Sequence, residues 1–219
     1  MGLIPAYQAA DTVGRVVRGS LRHLGHVLVV DDGSTDGTSA AAREAGAVVI
    51  SHARNRGKGY ALKTGFLYAL KAGYDAVVTL DADTQHDPEE IPKLLEKAGE
   101  GEIVLGARLR EKTVIPKARY WTNMVGVRCI SWRAKAALDD SQSGFRLYKA
   151  GVLEGVKFRG GRFEGETELI IRAGRKGFRI VNVPVKAIYT PDILCKSHYR
   201  AVRDTYRICM MFLRSFFWL

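Results

Sequence analysis

Apolar residues arrive in short unbroken runs through the first half of the chain, each followed by a polar turn and then a segment with helical spacing. The runs are GLIPA, HVLVV, AVVIS, YDAVVTL and GEIVLGAR. They do not alternate apolar with polar positions, so they read as strands buried on both faces. Between the first two, DTVGRVVRGSLRHL places Val13, Val16, Val17, Leu21 and Leu24 on one helical face. Residues 38–45, closed by Gly46 as a C-terminal cap, residues 60–72 and the stretch DPEEIPKLLEKA give three more helices. Strands and helices in alternation predict an α/β fold with a mostly parallel central sheet flanked by helices. Beyond Arg108 the pattern loosens into a basic loop, LREKTVIPKAR, and a helix over residues 120–138. A turn, DDSQSGFRLYK, leads into a strand; the helix GETELIIRAGRKG follows, then an extended segment, FRIVNVPVKAIY, which Pro184 kinks or places at an edge.

In such sheets ligands bind beyond the carboxyl ends of the strands. The polar clusters lie there: Pro5-Ala6-Tyr7, Asp31-Asp32, Asp81-Ala82-Asp83 and Arg108. In LDADTQHDP, two carboxylates one residue apart can share a divalent cation, with Ala82 turned away and Gln85 adding an amide oxygen. Oxygen ligands of this kind suit Mg²⁺ or Mn²⁺, completed by water and substrate phosphates. Asp87 before Pro88 is a helix N-cap, and His86 shapes the turn. Capping leaves Asp81 unexplained, because it lies a turn too early. The same residues fit DxDxT, the nucleophile motif of haloacid-dehalogenase-like phosphatases. Those enzymes carry it on their first strand, whereas three strand–helix units precede it here. In VVDDGSTDGT, a carboxylate at a strand end can accept from a ribose hydroxyl or a base N–H, while Gly33 to Asp36 build a turn. NRGKG lacks the full spacing of a phosphate-binding P-loop.

Charge adds one constraint. With 47% hydrophobic residues in 219, the chain can bury the core of one large domain, and its net charge of +11 favours anionic partners. Nucleic acid, an acidic lipid surface and phosphorylated small molecules all qualify, but no nucleic-acid motif accompanies the charge. Cys129, Cys195 and Cys209 show no paired spacing, which suggests free thiols in a reducing compartment. With no signal peptide and no apolar stretch of roughly 18 residues, a cytoplasmic location is expected. In the tail, Arg200, Arg203, Arg207 and Arg214 share one helical sector. Val202, Tyr206, Cys209, Met210, Leu213, Phe216 and Phe217 share the opposite one. Two readings compete: a helix lying in a membrane surface, and a helix packed on the protein body. The terminal FFWL favours the membrane boundary.

The stretches IPAYQAADTV, VVDDGSTDGT, NRGKGYALKTGF, TLDADTQHDPEEIP, LGAR, DSQSGFRLY and FEGETELI follow one another in an order that resembles family 2 glycosyltransferases of the GT-A fold. More narrowly, the chain is similar to the dolichyl- or polyprenyl-phosphate mannose or glucose synthases. The resemblance implies a GT-A domain over residues 1–195 and an amphipathic, membrane-interfacial helix over residues 196–219. It implies a metal-dependent inverting transfer of a hexose from GDP-mannose or UDP-glucose to a polyprenyl phosphate, by an enzyme peripheral on the cytoplasmic membrane face. A soluble hydroxyl acceptor is the alternative. Pro5, Ala6, Tyr7, Asp31, Asp32 and Lys58, with Asp81, Ala82 and His198, would hold the nucleotide sugar. The family usually has Asn, often followed by Glu, after the tyrosine, and this chain has Gln8-Ala9. Asp81, Asp83 and Gln85 match the metal positions; Arg108 and Arg119, beside Asn123, match those that meet the acceptor phosphate. Asp140 matches the general base that a hydroxyl acceptor would need, or is a turn residue beside Asp139. Glu166 or Glu168 orients substrate, or complements the start of its helix. Lys196 and His198 resemble the family's segment that closes over the donor.

Overall fold

The computed structural model describes residues 1–108, 117–186, 188 and 201–218, without the side chains of 117–124 and 201–202. Cys195, Lys196 and His198 therefore lie outside the described residues, as do the side chains of Arg119 and Asn123. The strands are β1 (Gly2–Ala6), β2 (Val27–Asp31), β3 (Val48–Ser51), β4 (Ala76–Thr79), β5 (Ile103–Arg108), β6 (Arg146–Lys149) and β7 (Ile180–Val185). The helices are α1 (Ala10–Leu21), α2 (Thr38–Glu44), α3 (Lys58–Lys71), α4 (Ile91–Glu96), α5 (Lys117–Ala134), α6 (Ala150–Gly155), α7 (Glu164–Arg175) and α8 (Ala201–Arg214).

The strands form one seven-stranded sheet in the order β3-β2-β1-β4-β6-β5-β7. The apolar runs are continuous because successive residues feed opposite layers. Leu3, Leu28, Val30, Val77, Ile103 and Leu105 enter one cluster with Leu62 and Phe66 of α3 and Ile170 of α7. Ile4, Val27, Val29, Val78 and Val104 enter the other with Val13, Val16 and Val17 of α1 and Leu94 of α4. The first strands pair in parallel, as expected, and Pro184 sits on the edge strand β7 opposite Ala107.

Three local expectations are corrected. β3 is an edge strand, and Val48 is 48% exposed on it, so that run is not buried on both faces. The third helix starts at Lys58, two residues early, because Gly57 at φ 106 supplies the turn into it. The helix expected over residues 120–138 spans Lys117–Ala134 and is stopped by Lys135 at φ 54.

β6 is the strand that shapes the site. It runs antiparallel between β4 and β5, with Arg146 opposite both Thr79 and Leu105. Its amino end therefore lies where β4 and β5 end, and the loop of residues 139–145 arrives at their carboxyl tips.

Close packing of α3 on β1 depends on Gly65, where a Cβ would overlap the Leu3 side chain. Gly65→Ala should lower stability, since overpacking costs about 1–3 kcal/mol and better helix propensity returns at most about 1 kcal/mol. Urea unfolding checks this, the expected result being a lower midpoint at unchanged slope.

Candidate active site

The tips of β1, β2, β4 and β5 converge on a cluster of charges that the turns hold in place. After β1, Gln8 adopts φ 49 and its Oε1 accepts the backbone N–H of Thr35 at 2.8 Å and of Asp36 at 3.3 Å. The residue that departs from the family pattern thus clasps the Gly33–Asp36 turn. Asp31 accepts the Ser34 N–H at 3.0 Å and the Ser39 hydroxyl. Asp32 points elsewhere: it accepts the N–H groups of Arg56 at 3.0 Å and Gly57 at 2.6 Å, and pairs with His52 Nδ1 at 2.7 Å. It is buried, and its oxygens fix the loop that delivers Lys58 to the start of α3.

Lys58 is the centre of the site. Its Nζ lies 2.5 Å from Asp81 Oδ1 and 2.8 Å from Glu166 Oε2, at the start of α7. Burial alone would lower its pKa, but the two carboxylates hold it above the usual lysine value. Burial alone would raise Asp81, and Lys58 beside it holds that carboxyl below the ordinary range. Among the described residues Asp83 has no such partner at contact distance: burial and the Asp81 charge push it up to about 6. Its Oδ1 accepts the Gln85 N–H at 3.0 Å across Thr84, which sits at φ 65. His86 is buried against the Phe145 ring, and burial lowers it to about 4, so it is neutral. Asp87 caps the turn that follows by accepting the Glu89 N–H at 3.0 Å.

A second ion pair stands beside the first. Arg108, at the end of β5, donates to Asp140 through Nε at 2.6 Å and Nη2 at 3.1 Å. Asp140 also accepts the N–H groups of Gln142 at 2.9 Å and Ser143 at 3.2 Å. Glu168, in contrast, is occupied within its own neighbourhood, by the Gly160 N–H at 2.7 Å and Arg172 Nε at 2.7 Å.

The structure thus brings together Asp81, Asp83, Lys58, Glu166, Arg108 and Asp140, with Pro5, Ala6, Tyr7, Asp31 and Asp32 on neighbouring tips. Two residues went unremarked in the sequence. Arg146 is fully buried and donates to the carbonyls of Ser141, Ser143 and Glu166 at 3.0, 2.6 and 3.0 Å, bracing the Asp140 loop against α7. A charged residue between Phe145 and Leu147 in an apolar strand was its signal. Gly144 lets Asp81 and Lys58 approach: a Cβ there would lie 2.5 Å from Asp81 Oδ2 and 2.8 Å from Lys58 Nζ.

The donor set is chemically suited to a hard divalent cation. Two carboxylates and the Gln85 amide offer oxygens only, and Asp83 is raised by burial and by the Asp81 charge beside it. Among the described residues no group of three or more His, Cys, Asp and Glu is arranged to hold a metal ion, so Asp81 and Asp83 are the two carboxylates on offer. Such a site suits a cation that takes its remaining ligands from water and substrate.

The tail packs on the protein body along one side and leaves another side exposed. α8 docks through Asp204, Met211 and Ser215, all buried, with Arg133 donating to Ser215 and the Arg172 guanidinium 3.9 Å from the Trp218 ring centroid. Tyr206, Cys209, Leu213, Phe216 and Phe217 stay exposed. Trp132, 67% exposed on α5, extends that stripe through a ring contact with Phe216 at 5.7 Å. No helix among the described residues is long and apolar enough to cross a membrane.

The chain is similar to known proteins. The model of glycosyl transferase family 2 matches residues 3–155. An undecaprenyl-phosphate mannosyltransferase of Micrococcus luteus is 31% identical over 202 residues, covering 84% of this chain and 81% of that protein. A UDP-N-acetylglucosamine–dolichyl-phosphate N-acetylglucosaminyltransferase of Methanococcus voltae is 30% identical over 214 residues, covering 86% and 85%. Among solved structures, glucosyl-3-phosphoglycerate synthase of Mycobacterium tuberculosis, crystallised with Mn²⁺, UDP and glucosyl-3-phosphoglycerate, superimposes with a TM-score of 0.73. That match covers 98% of this chain and 78% of the other at 20% identity, and it shows the GT-A fold. With the family model spanning most of the chain and the charged residues gathered at the strand tips, the protein belongs to glycosyl transferase family 2 and is a glycosyltransferase.

Proposed function

We propose that the enzyme transfers a hexose, with inversion, from a nucleotide sugar to a polyprenyl phosphate. The observation that carries this reading is the state of Asp140. The residue that would serve as base for a hydroxyl acceptor is buried and bound by Arg108 and two backbone N–H groups. A phosphate acceptor is already anionic and needs no base. The curated relatives named for undecaprenyl, dolichyl and polyprenol acceptors point the same way.

The roles follow from position. Tyr7, Pro5, Ala6, Asp31 and Asp32 border the nucleotide, and Asp32 also orders the loop behind it. Asp81, Asp83 and Gln85 would hold Mg²⁺ or Mn²⁺, which when bound supplies charge stabilisation to the departing diphosphate. Arg108, oriented by Asp140, meets the acceptor phosphate with Arg119 and Asn123 from α5. His198 completes the donor site from the segment before α8.

The exposed stripe of α5 and α8 is where the enzyme meets a membrane. Its aromatic side chains suit that boundary, and Arg203 and Arg214 of the same helix are also exposed, which matches an anionic surface. On this reading the protein is peripheral on the cytoplasmic face of the membrane, with residues 1–195 as the catalytic domain and residues 196–219 as its docking helix.

The test is transfer of radiolabelled hexose from GDP-mannose, UDP-glucose and UDP-N-acetylglucosamine to an undecaprenyl phosphate, read in the organic phase. Activity with one donor, removed by EDTA and restored by Mn²⁺, is expected. Equal transfer to a soluble hydroxyl compound would count against the lipid acceptor. Phe216→Ser/Phe217→Ser should lose sedimentation with anionic vesicles while keeping its fold by circular dichroism. Undiminished sedimentation would remove the stripe as the contact.

Asp83 gives a pH-dependent prediction. Its folded value near 6 exceeds the ordinary 3.8, so folding takes up a proton between them. In chelator, the stability it contributes is present below about pH 4 and is lost as pH rises through about 6. Asp83→Asn should therefore melt several degrees above wild type at about pH 8 in EDTA, with the gap closing toward acid pH. The same variant should lose its stabilisation by Mn²⁺ plus nucleotide.

A further inference from the structure

Lys58 lies deeper in the acid cluster than donor contact alone requires. Its ammonium bridges Asp81 Oδ1 at 2.5 Å and Glu166 Oε2 at 2.8 Å, with only 13% of its side chain exposed. Glu166 is buried as well, and its second oxygen, Oε1, makes no hydrogen bond. The backbone of Gly144 lies against the other Asp81 oxygen. Ammonium and backbone thus flank both oxygens of a carboxylate that the functional reading assigns to a divalent cation. Two cations cannot share that carboxylate cheaply: a dication within a few ångströms of a buried ammonium is strongly repelled.

We propose that Lys58 is a tethered counter-ion that competes with the divalent cation for Asp81, and that Glu166 is the carboxylate onto which it withdraws. The proposal rests on the metal reading above and adds a regulatory consequence to it. While Lys58 neutralises Asp81, free metal binds weakly. The nucleotide's diphosphate adds negative charge, and with it the cation outcompetes the ammonium. Loading of metal and donor is thereby coupled. Glu166 suits the withdrawal because its unpartnered Oε1 can accept the ammonium alongside Oε2, so Lys58 stays paired inside the protein. The Phe163 ring, its centroid 5.7 Å from Nζ, borders the same space.

The two residues then have opposite signatures. Without Lys58 the competitor is gone; without the Glu166 charge the ammonium has no alternative to Asp81. The experiment is Mn²⁺ titration calorimetry on the full chain, with and without UDP or GDP. It compares wild type, Lys58→Met, Glu166→Gln and the double variant, with thermal melts as the folding control. In the absence of nucleotide, Lys58→Met should bind Mn²⁺ about tenfold or more tightly than wild type, and Glu166→Gln about tenfold more weakly. The Glu166→Gln effect should largely vanish in the Lys58→Met background, because it acts through the lysine. Unchanged or weaker Mn²⁺ binding by folded Lys58→Met overturns the proposal. So does a Glu166→Gln effect of equal size in both backgrounds, which would show the carboxylate acting by its own charge. Should Lys58→Met fail to fold, Lys58→Gln takes its place in the same comparison, and the same two outcomes overturn the proposal. Wild type that binds no Mn²⁺ even with nucleoside diphosphate would instead overturn the metal reading, and this proposal with it.

Discussion

A buried ammonium set among carboxylates governs how this site is built. Asp81, Asp83 and Glu166 gather where the strands end, and a charge taken out of water there is costly unless it is paired. Lys58 compensates two of them by direct contact; among the described residues Asp83 has no such contact, and burial together with the Asp81 charge pushes its carboxyl up. Removing one partner from such a cluster leaves an uncompensated charge, so the arrangement is all or nothing. Much of the surrounding structure delivers Lys58 to this spot. Asp32 clamps the N–H groups of Arg56 and Gly57, Gly57 turns the chain into α3, and Lys58 becomes the first residue of that helix. The acids after β2 thereby act on the acids after β4.

The antiparallel strand gives the site its second half. A parallel β6 would have carried the loop of residues 139–145 to the opposite end of the sheet. Running backwards between β4 and β5, it brings Gly144 against Asp81 and Asp140 against Arg108. Arg146 then ties this loop to the carbonyl of Glu166, so the loop and the start of α7 are held by one guanidinium. The charges are divided as a result. Excess negative charge lies around Asp81 and Asp83, and the cationic Arg108 stands beside them; on the proposed reading, one side takes the cation and the other the anionic acceptor.

What could be read from the sequence, and what could not, has a physical basis. The parallel strands were legible because burial on both faces demands unbroken apolar runs, and Leu3 and Ile4 or Val77 and Val78 do serve opposite layers. The acidic tips were legible because a strand end concentrates its polar residues in a few consecutive positions. The direction of β6 was not, since a four-residue strand carries no mark of its orientation and Arg146 disguises its burial. The partners of Lys58 were hidden because Asp81 and Glu166 belong to other elements and meet it only through the sheet order. Gln8 was visible only as a departure from the family pattern, and its clasp on Thr35 and Asp36 appears once β1 and β2 lie side by side.

The tail shows why hydrophobic pattern alone could not decide between packing and exposure. α8 attaches through Asp204 and Ser215 as well as Met211, and a buried arginine, Arg133, satisfies the Ser215 hydroxyl and carbonyl. Polar groups so satisfied can anchor a helix, which frees the aromatic face for another purpose. That face is continuous with Val125, Cys129 and Trp132, spaced one helical stripe apart on α5. The same helix carries Arg119 and Asn123 toward its start, close in the chain to the end of β5. On the proposed reading, α5 thus carries two residues assigned to the acceptor phosphate as well as part of the exposed stripe assigned to the membrane.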